Sequence, residues 1–231
     1  GAKILADGTK TNPIVFTSYT HAKKLKQYKI KLPYKVVSLP PKFFGTLEYS
    51  SNAFFSFSNF YLKKIIKKHK IKIFYGLFGY PVGVMLGNYV EKNFPNHIPS
   101  VCRCVGEDIQ INKDINYGLR ITKKVDRLIK TKLNQLDFLV ASSNTITKEY
   151  NKLNIKSSKI KLIPNPVNIN KFNKKKKLKS TFNFLCLGRY HKKKNFEFVI
   201  DVINSIDKGW VLDNKIVFYF VGTNISNLEN Y

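Results

Sequence analysis

Four cations crowd the stretch Arg189-Tyr-His-Lys192-Lys193-Lys194, directly after an apolar run, Phe182 to Leu187, that stops at Gly188. Positive charge gathered in that way suits an anion, and a phosphate in particular. Arg189 can grip a pair of phosphate oxygens at once, whereas Lys194 acts as a point charge. The alternative is a solvated lysine run, since such runs recur in this chain. A second cluster, Gly106-Glu107-Asp108-Ile109-Gln110, sets adjacent carboxylates beside an amide. These groups are costly to bury and are expected to face a cleft, solvent or cations. The sulfur and imidazole ligands are sparse, with Cys102, Cys104, Cys186 and four scattered histidines. Cys102 and Cys104 share one face of a β-type run and fit packed thiols better than half a zinc site, so no metal is expected. An odd number of free thiols suits a reducing cytoplasm.

These residues need elements to position them. The run Phe182 to Leu187 has strand length, and Phe196, Val199, Ile200 and Ile203 then recur at helical spacing. The cations therefore fill a strand-to-helix turn, where open α/β sheets bind ligands and where a helix offers free N–H groups to an anion. Upstream, Gly1 to Asp7 reads as the end of a helix, and Ile14 to Ser18 and Val36 to Leu39 read as short strands. Phe54, Phe57, Tyr61 and Ile65 mark a helix from Ser50 to about His69. The lysines near its end, Lys63 to Lys70, either answer the helix dipole or form a basic face for anionic lipid headgroups. Ile71 to Tyr75 reads as a strand, Gly76 to Gly83 as a turn that serves packing more than binding, and Pro81 to Lys92 as a helix. Ser100 to Val105 is a further strand, followed by a helix from about Asp114 to Leu136. Leu136 to Ser143 is a strand running into a helix that Ser142, Ser143 or Asn144 can cap. Lys159 to Ile163 leads into Pro164-Asn165-Pro166-Val167-Asn168, a stiff crossover. Lys174 to Lys179 reads as an exposed boundary loop, and Lys215 to Gly222 closes the pattern with another buried strand.

With 231 residues and 43% hydrophobic content, the chain can build one large domain or two small ones. No apolar run approaches the roughly 18 residues needed to span a bilayer, so a soluble protein is expected. A formal charge of +27 favours anionic partners: nucleic acid, anionic lipid or phosphorylated small molecules. Strands alternating with helices argue for an α/β fold with parallel sheets.

The order of R-x-x-G-E-D-I-Q (Arg103 to Gln110), the serine-ended strand, P-N-P-V-N with Phe172 beyond it, and G-R with a lysine five residues after the arginine resembles glycosyltransferase family 4 over nearly the whole chain. The resemblance implies a GT-B fold of two Rossmann-like parallel-sheet domains. Residues 1–173 would be the acceptor-side domain with its start missing, plus the crossover. Residues 174–231 would begin the nucleotide-sugar-binding domain, with the remainder missing. It further implies transfer of a sugar from a nucleotide-diphosphate donor, with retention of configuration and without metal or other cofactor. Arg189 and Lys194 would meet the donor diphosphate, Asn165 and Gly222 would line the donor side, and Glu107 and Asp108 would act on the acceptor side. The acceptor would be a lipid-linked, polysaccharide or protein substrate, reached in the cytoplasm or at its membrane face, with no specific nucleic acid partner. The sequence departs from the family at Asn195, where glycine is usual, and at Val105, where many relatives carry histidine. The family's glycine-rich loop and its pair of glutamates are not in the sequence, so the piece is expected to be inactive alone. The competing class is a non-catalytic basic α/β module that holds nucleic acid or another polyanion.

Overall fold

Parallel neighbours in a sheet require a crossover long enough to return the chain to the starting edge, and helical segments between the apolar runs provide it. The computed structural model describes residues 14–17, 35–38, 49–172 and 182–224. Strand β1 (Ile14–Thr17) pairs in parallel with β2 (Lys35–Ser38). Strands β3 (Phe74–Leu77), β4 (Ser100–Arg103), β5 (Phe138–Ala141) and β6 (Ile160–Leu162) follow one another in a parallel sheet. Strands β7 (Phe182–Leu187) and β8 (Ile216–Val221) form a further parallel pair. The chain divides into two compact units: Gly1–Ile111 with Gly118–Pro166, and Asn112–Tyr117 with Val167–Tyr231.

In the first unit, α1 (Asn52–His69) starts where the Ser51 hydroxyl accepts the Phe54 amide at 3.1 Å, and it ends in Lys67, Lys68 and His69. Cations there oppose the negative end of the helix dipole. Helix α2 (Val84–Asn93) follows a π-type turn, Gly79–Gly83, and packs on α3 (Lys123–Leu133). At Gly87 of α2 a Cβ would stand 2.0 Å from the Lys132 carbonyl oxygen, so only glycine permits this approach. Helix α4 (Asn144–Lys152) is capped by Ser143, whose hydroxyl accepts the Ile146 amide. The core joins Phe54, Val84, Tyr89, Ile129, Leu139 and Tyr150 among others. The Tyr150 hydroxyl donates to the Val140 carbonyl and accepts the Cys104 amide, each at 3.1 Å, and so ties β5 to the residue just past β4. Burial pushes its pKa far up and keeps it protonated.

The starts of β4 and β5 are joined by Asp137. Its carboxylate accepts the Ser100 amide and hydroxyl, both at 2.8 Å, and lies 3.0 Å from His97 Nε2. Lys159 reaches back to donate to the carbonyls of Asn134 and Leu136 at 2.8 and 2.7 Å, closing the end of α3. Burial lowers its pKa.

In the second unit, β7 leads through α5 (Phe196–Ser205) and α6 (Lys208–Asp213) to β8. Phe196 packs edge-on against Phe220 with ring centroids 5.9 Å apart, and Phe184 stacks on Phe218 at 5.0 Å. Asp207 caps α6 by accepting the Trp210 amide at 2.7 Å.

Several expected elements move. The strand expected at Ile71 to Tyr75 is shifted onward to Phe74–Leu77, because Lys70 adopts a left-handed backbone that ends α1 and a loop must follow. The long helix expected from Asp114 begins only at Lys123. Asn112 and Tyr117 form an antiparallel bridge, and a short 3-10 turn, Leu119–Ile121, takes up the interval. Between β7 and β8 a second helix follows the one marked by Phe196 to Ile203, since Asp207 caps a new start. The division between units falls at Pro166–Val167, while the lysine run at 174–179 and the helix end at 1–7 lie outside the described residues.

Asp137 makes stability depend on pH. Burial would raise its pKa, but the bonds from His97 and Ser100 outweigh this and hold the carboxyl below its usual range. Its contribution is therefore complete above the unfolded value of about 3.9 and fades as pH falls through the lower folded value. With the side chain 32% exposed, solvent screening keeps the effect modest. Asp137→Asn is expected to lower the melting temperature at neutral pH, with the gap to wild type narrowing below about pH 4. Melting curves across that range check it, and a gap constant down to the acid limit would refute it.

Candidate active site

The two sequence clusters occupy the same place in their respective units, the carboxyl ends of parallel strands, where open α/β sheets hold ligands. In the first unit, the turn after β4 is organised by Asp108. Its side chain is 3% exposed, and Oδ1 accepts the Val105 and Gly106 amides at 3.0 and 2.8 Å. Oδ2 accepts the Gly79 amide, from the turn after β3, at 2.5 Å. The expectation that both carboxylates face a cleft, solvent or cations is thus corrected for Asp108: its oxygens are spent on backbone amides that would otherwise lack an acceptor. Glu107 is exposed, and its carbonyl accepts the Leu119 amide at 2.9 Å.

The segment after this loop braces it. A Cβ on Gly118 would stand 2.1 Å from the Gln110 carbonyl oxygen, and its φ of 112° also favours glycine. Arg120 Nη1 donates to the Ile109 carbonyl at 2.7 Å, Nε pairs with Asp126 at 2.6 Å, and Nη1 lies 3.4 Å from Glu149. A guanidinium so buried needs carboxylates around it, and here it has them. Arg103, at the end of β4, donates to the Asn165 side-chain oxygen, so Asn165 belongs to the first unit and its carbonyl is engaged there.

In the second unit the structure brings Arg189, Lys194 and Gly222 together. The strands continue their pairing past their ends: the Gly188 amide donates to the Val221 carbonyl and the Tyr190 amide to the Thr223 carbonyl, each at 2.9 Å. A Cβ on Gly222 would stand 1.7 Å from the Gly188 carbonyl oxygen, so backbone meets backbone with nothing between. The stem of Lys194 folds over Gly188, its Cε 3.0 Å from where a Cβ would be. Arg189 and Lys194 are exposed, and the Arg189 amide carries no hydrogen bond. Backbone thus meets backbone between the two loops, with the Lys194 stem over Gly188 and Arg189 exposed beside them.

The helix N-terminus contributes less than expected. A 3-10 turn, Lys192–Lys194, intervenes, and the amides of Lys194 and Asn195 bond back to His191 and Lys192. Glu197 sits in the first turn of α5, where its own backbone amide and the Tyr190 hydroxyl at 2.7 Å hold its carboxyl below the usual range. Asn195 adopts φ 52°, ψ 46°. Glycine takes that left-handed conformation freely and asparagine is among the few L-residues that tolerate it, which accounts for the sequence departure at this position. The inward role of Asp108 had no signal in the sequence. The Tyr190–Glu197 pair had none beyond its spacing.

No protein-family model matches the chain, and none of the curated proteins does. Among solved structures, Anabaena HepE in complex with UDP superposes with a TM-score of 0.59 at 14% identity, covering 94% of this chain and 55% of that one. The HepE complex with UDP and glucose gives 0.54 at the same identity and coverage. The likeness establishes the fold: α/β with parallel, Rossmann-like sheets of the GT-B type. The chain spans about half the length of the solved structure it matches.

Asp108→Ala is expected to cost on the order of 3 kcal/mol, because three backbone amides, those of Gly79 and Gly106 buried, lose their acceptor, whereas Glu107→Ala should stay within about 0.5 kcal/mol. Urea unfolding midpoints check this, and equal stability of the two variants would show that Asp108 does not organise the turn.

Proposed function

We propose that the chain carries donor-side and acceptor-side elements of a nucleotide-sugar-dependent glycosyltransferase, as the resemblance to family 4 suggests. The observation that carries the proposal is the contact of Gly222 with Gly188 beside Arg189 and Lys194, at the carboxyl ends of a parallel strand pair. The likeness to a fold that holds UDP in Anabaena HepE supports the same reading. In it, the donor diphosphate rests on the backbone floor and the free Arg189 amide. Arg189 spans its oxygens, and Lys194 adds a point charge as the glycosidic oxygen leaves. These cations serve the transition state most, because charge on the diphosphate grows as the bond breaks. Retention of configuration without a metal belongs to the proposal, as does an acceptor at the Glu107 side of the first unit. In this reading Asp108 positions that loop and Asn165 braces Arg103.

UDP is the first probe because HepE was solved with it. Titrated against the chain, UDP should bind saturably. Arg189→Ala should weaken it by about one to two orders of magnitude, the scale of a lost charge-assisted contact, and Lys67→Gln should change it little. Equal losses at the two positions would reduce the loop to general charge.

Helix α1 supports a membrane-facing role as part of the proposal. Phe60 is 66% exposed, and Lys63, Lys64 and Lys67 lie three, four and seven residues further on, on the same helix face, all exposed. An aromatic among cations is the pattern of a helix lying on anionic headgroups. Among the described residues no helix is long and apolar enough to cross a membrane. Vesicle binding should rise with anionic lipid content and fall with salt. Changing Lys63, Lys64, Lys67 and Lys68 to glutamine together should abolish most of it, and unchanged binding would assign these lysines to the helix dipole alone.

A further inference from the structure

Helices α1, α2 and α3 line a half-open pocket of about 390 Å³ to which, among the described residues, the loops after β3, β4, β5 and β6 contribute none. Phe55, Asn88 and Lys132 supply one wall each, with Ser56, Glu91 and Lys92 beside them. Asn88 is 3% exposed, and its Nδ2 has no hydrogen-bond partner. Native proteins rarely leave a buried donor unmade, so this amide calls for an acceptor oxygen. Lys132 is drawn into the wall by the close approach of α2 and α3 at Gly87. Its ammonium pairs with Glu91 and lies 6.0 Å from the centroid of the Phe55 ring. Among the described residues of the lining one carboxylate, already paired, stands against two lysines, a net positive charge. The volume far exceeds a single water's share of about 30 Å³ and falls in the range of small-molecule sites.

We propose that this cavity binds a small oxyanion, a phosphate- or carboxylate-bearing molecule, with Asn88 Nδ2 donating to one of its oxygens and Lys132 and Lys92 balancing its charge. The site lies in the helical layer of the first unit and stands independently of sugar transfer. An occupant would tie three helices together at a point where the polypeptide alone leaves a polar group unmet.

The test follows the side-chain amide of Asn88 by NMR in the ¹⁵N-labelled chain. Inorganic phosphate and, in a separate arm, citrate are titrated at constant ionic strength kept with chloride. A saturable shift at Asn88 from either anion is expected, and the stronger arm tells phosphate from carboxylate recognition. Asn88→Asp, which sets a charge against the anion, should weaken binding by about tenfold or more, and Arg189→Ala should leave it unchanged. Should Asn88→Asp fail to fold, exposed Lys92→Gln must still weaken binding more than Lys67→Gln does. An Asn88 resonance unmoved by both anions, or moved equally by chloride, would mean that the cavity holds water only and would overturn the proposal.

Discussion

One buried carboxylate fixes the working edge of the first unit. Asp108 gathers amides from the turn after β3 and the turn after β4, so neighbouring strand ends share one acceptor. Without it the Gly79 turn and the Gly106–Gln110 loop would each have to find other partners for buried N–H groups, and burial offers few. Gly118 and Arg120 then brace the loop from outside, so that Glu107 is presented on a rigid frame instead of a mobile tip.

The second unit solves the same problem without a side chain. Gly222 lies against the Gly188 carbonyl so closely that any Cβ would collide, and the loops after β7 and β8 hold one another by backbone bonds. Side chains are thereby freed for charge. The charged ends of Arg189 and Lys194 are not needed for those backbone bonds, and both residues remain exposed. One unit uses a buried carboxylate to shape a loop, the other uses the absence of side chains to bring two loops together.

The sequence announced the sheet well where an apolar run met a clear stop. The strands at Phe182–Leu187 and Ile216–Val221 are read correctly because Gly188 and Gly222 end them, and Ser143 marks its helix because a capping hydroxyl has a distinct composition. Reading failed where the decisive fact was a backbone angle or a distant partner. Ile71 and Ile73 look like strand residues, yet the left-handed Lys70 delays the strand. Asp114 looks like a helix start, yet the Asn112–Tyr117 bridge and the Gly118 contact claim that stretch first. Arg189 and Lys194 were visible as cations in a turn, but the inward role of Asp108 was not, since exposure cannot be read from an acid's neighbours in sequence. The unmet amide of Asn88 had no signal at all, because nothing local separates it from a surface asparagine.

The three cysteines divide by unit in a way that bears on handling the protein. Cys102 and Cys104 are wholly enclosed, and the hydrogen bond between them together with burial keeps the Cys104 thiol protonated and unreactive. Cys186, on β7, is half-buried. A maleimide or spin label offered to the native protein therefore meets a single accessible sulfur in the second unit, and the other two become countable only as the first unit opens. The chain thus carries an internal gauge that reports on its two halves separately, with no residue replaced.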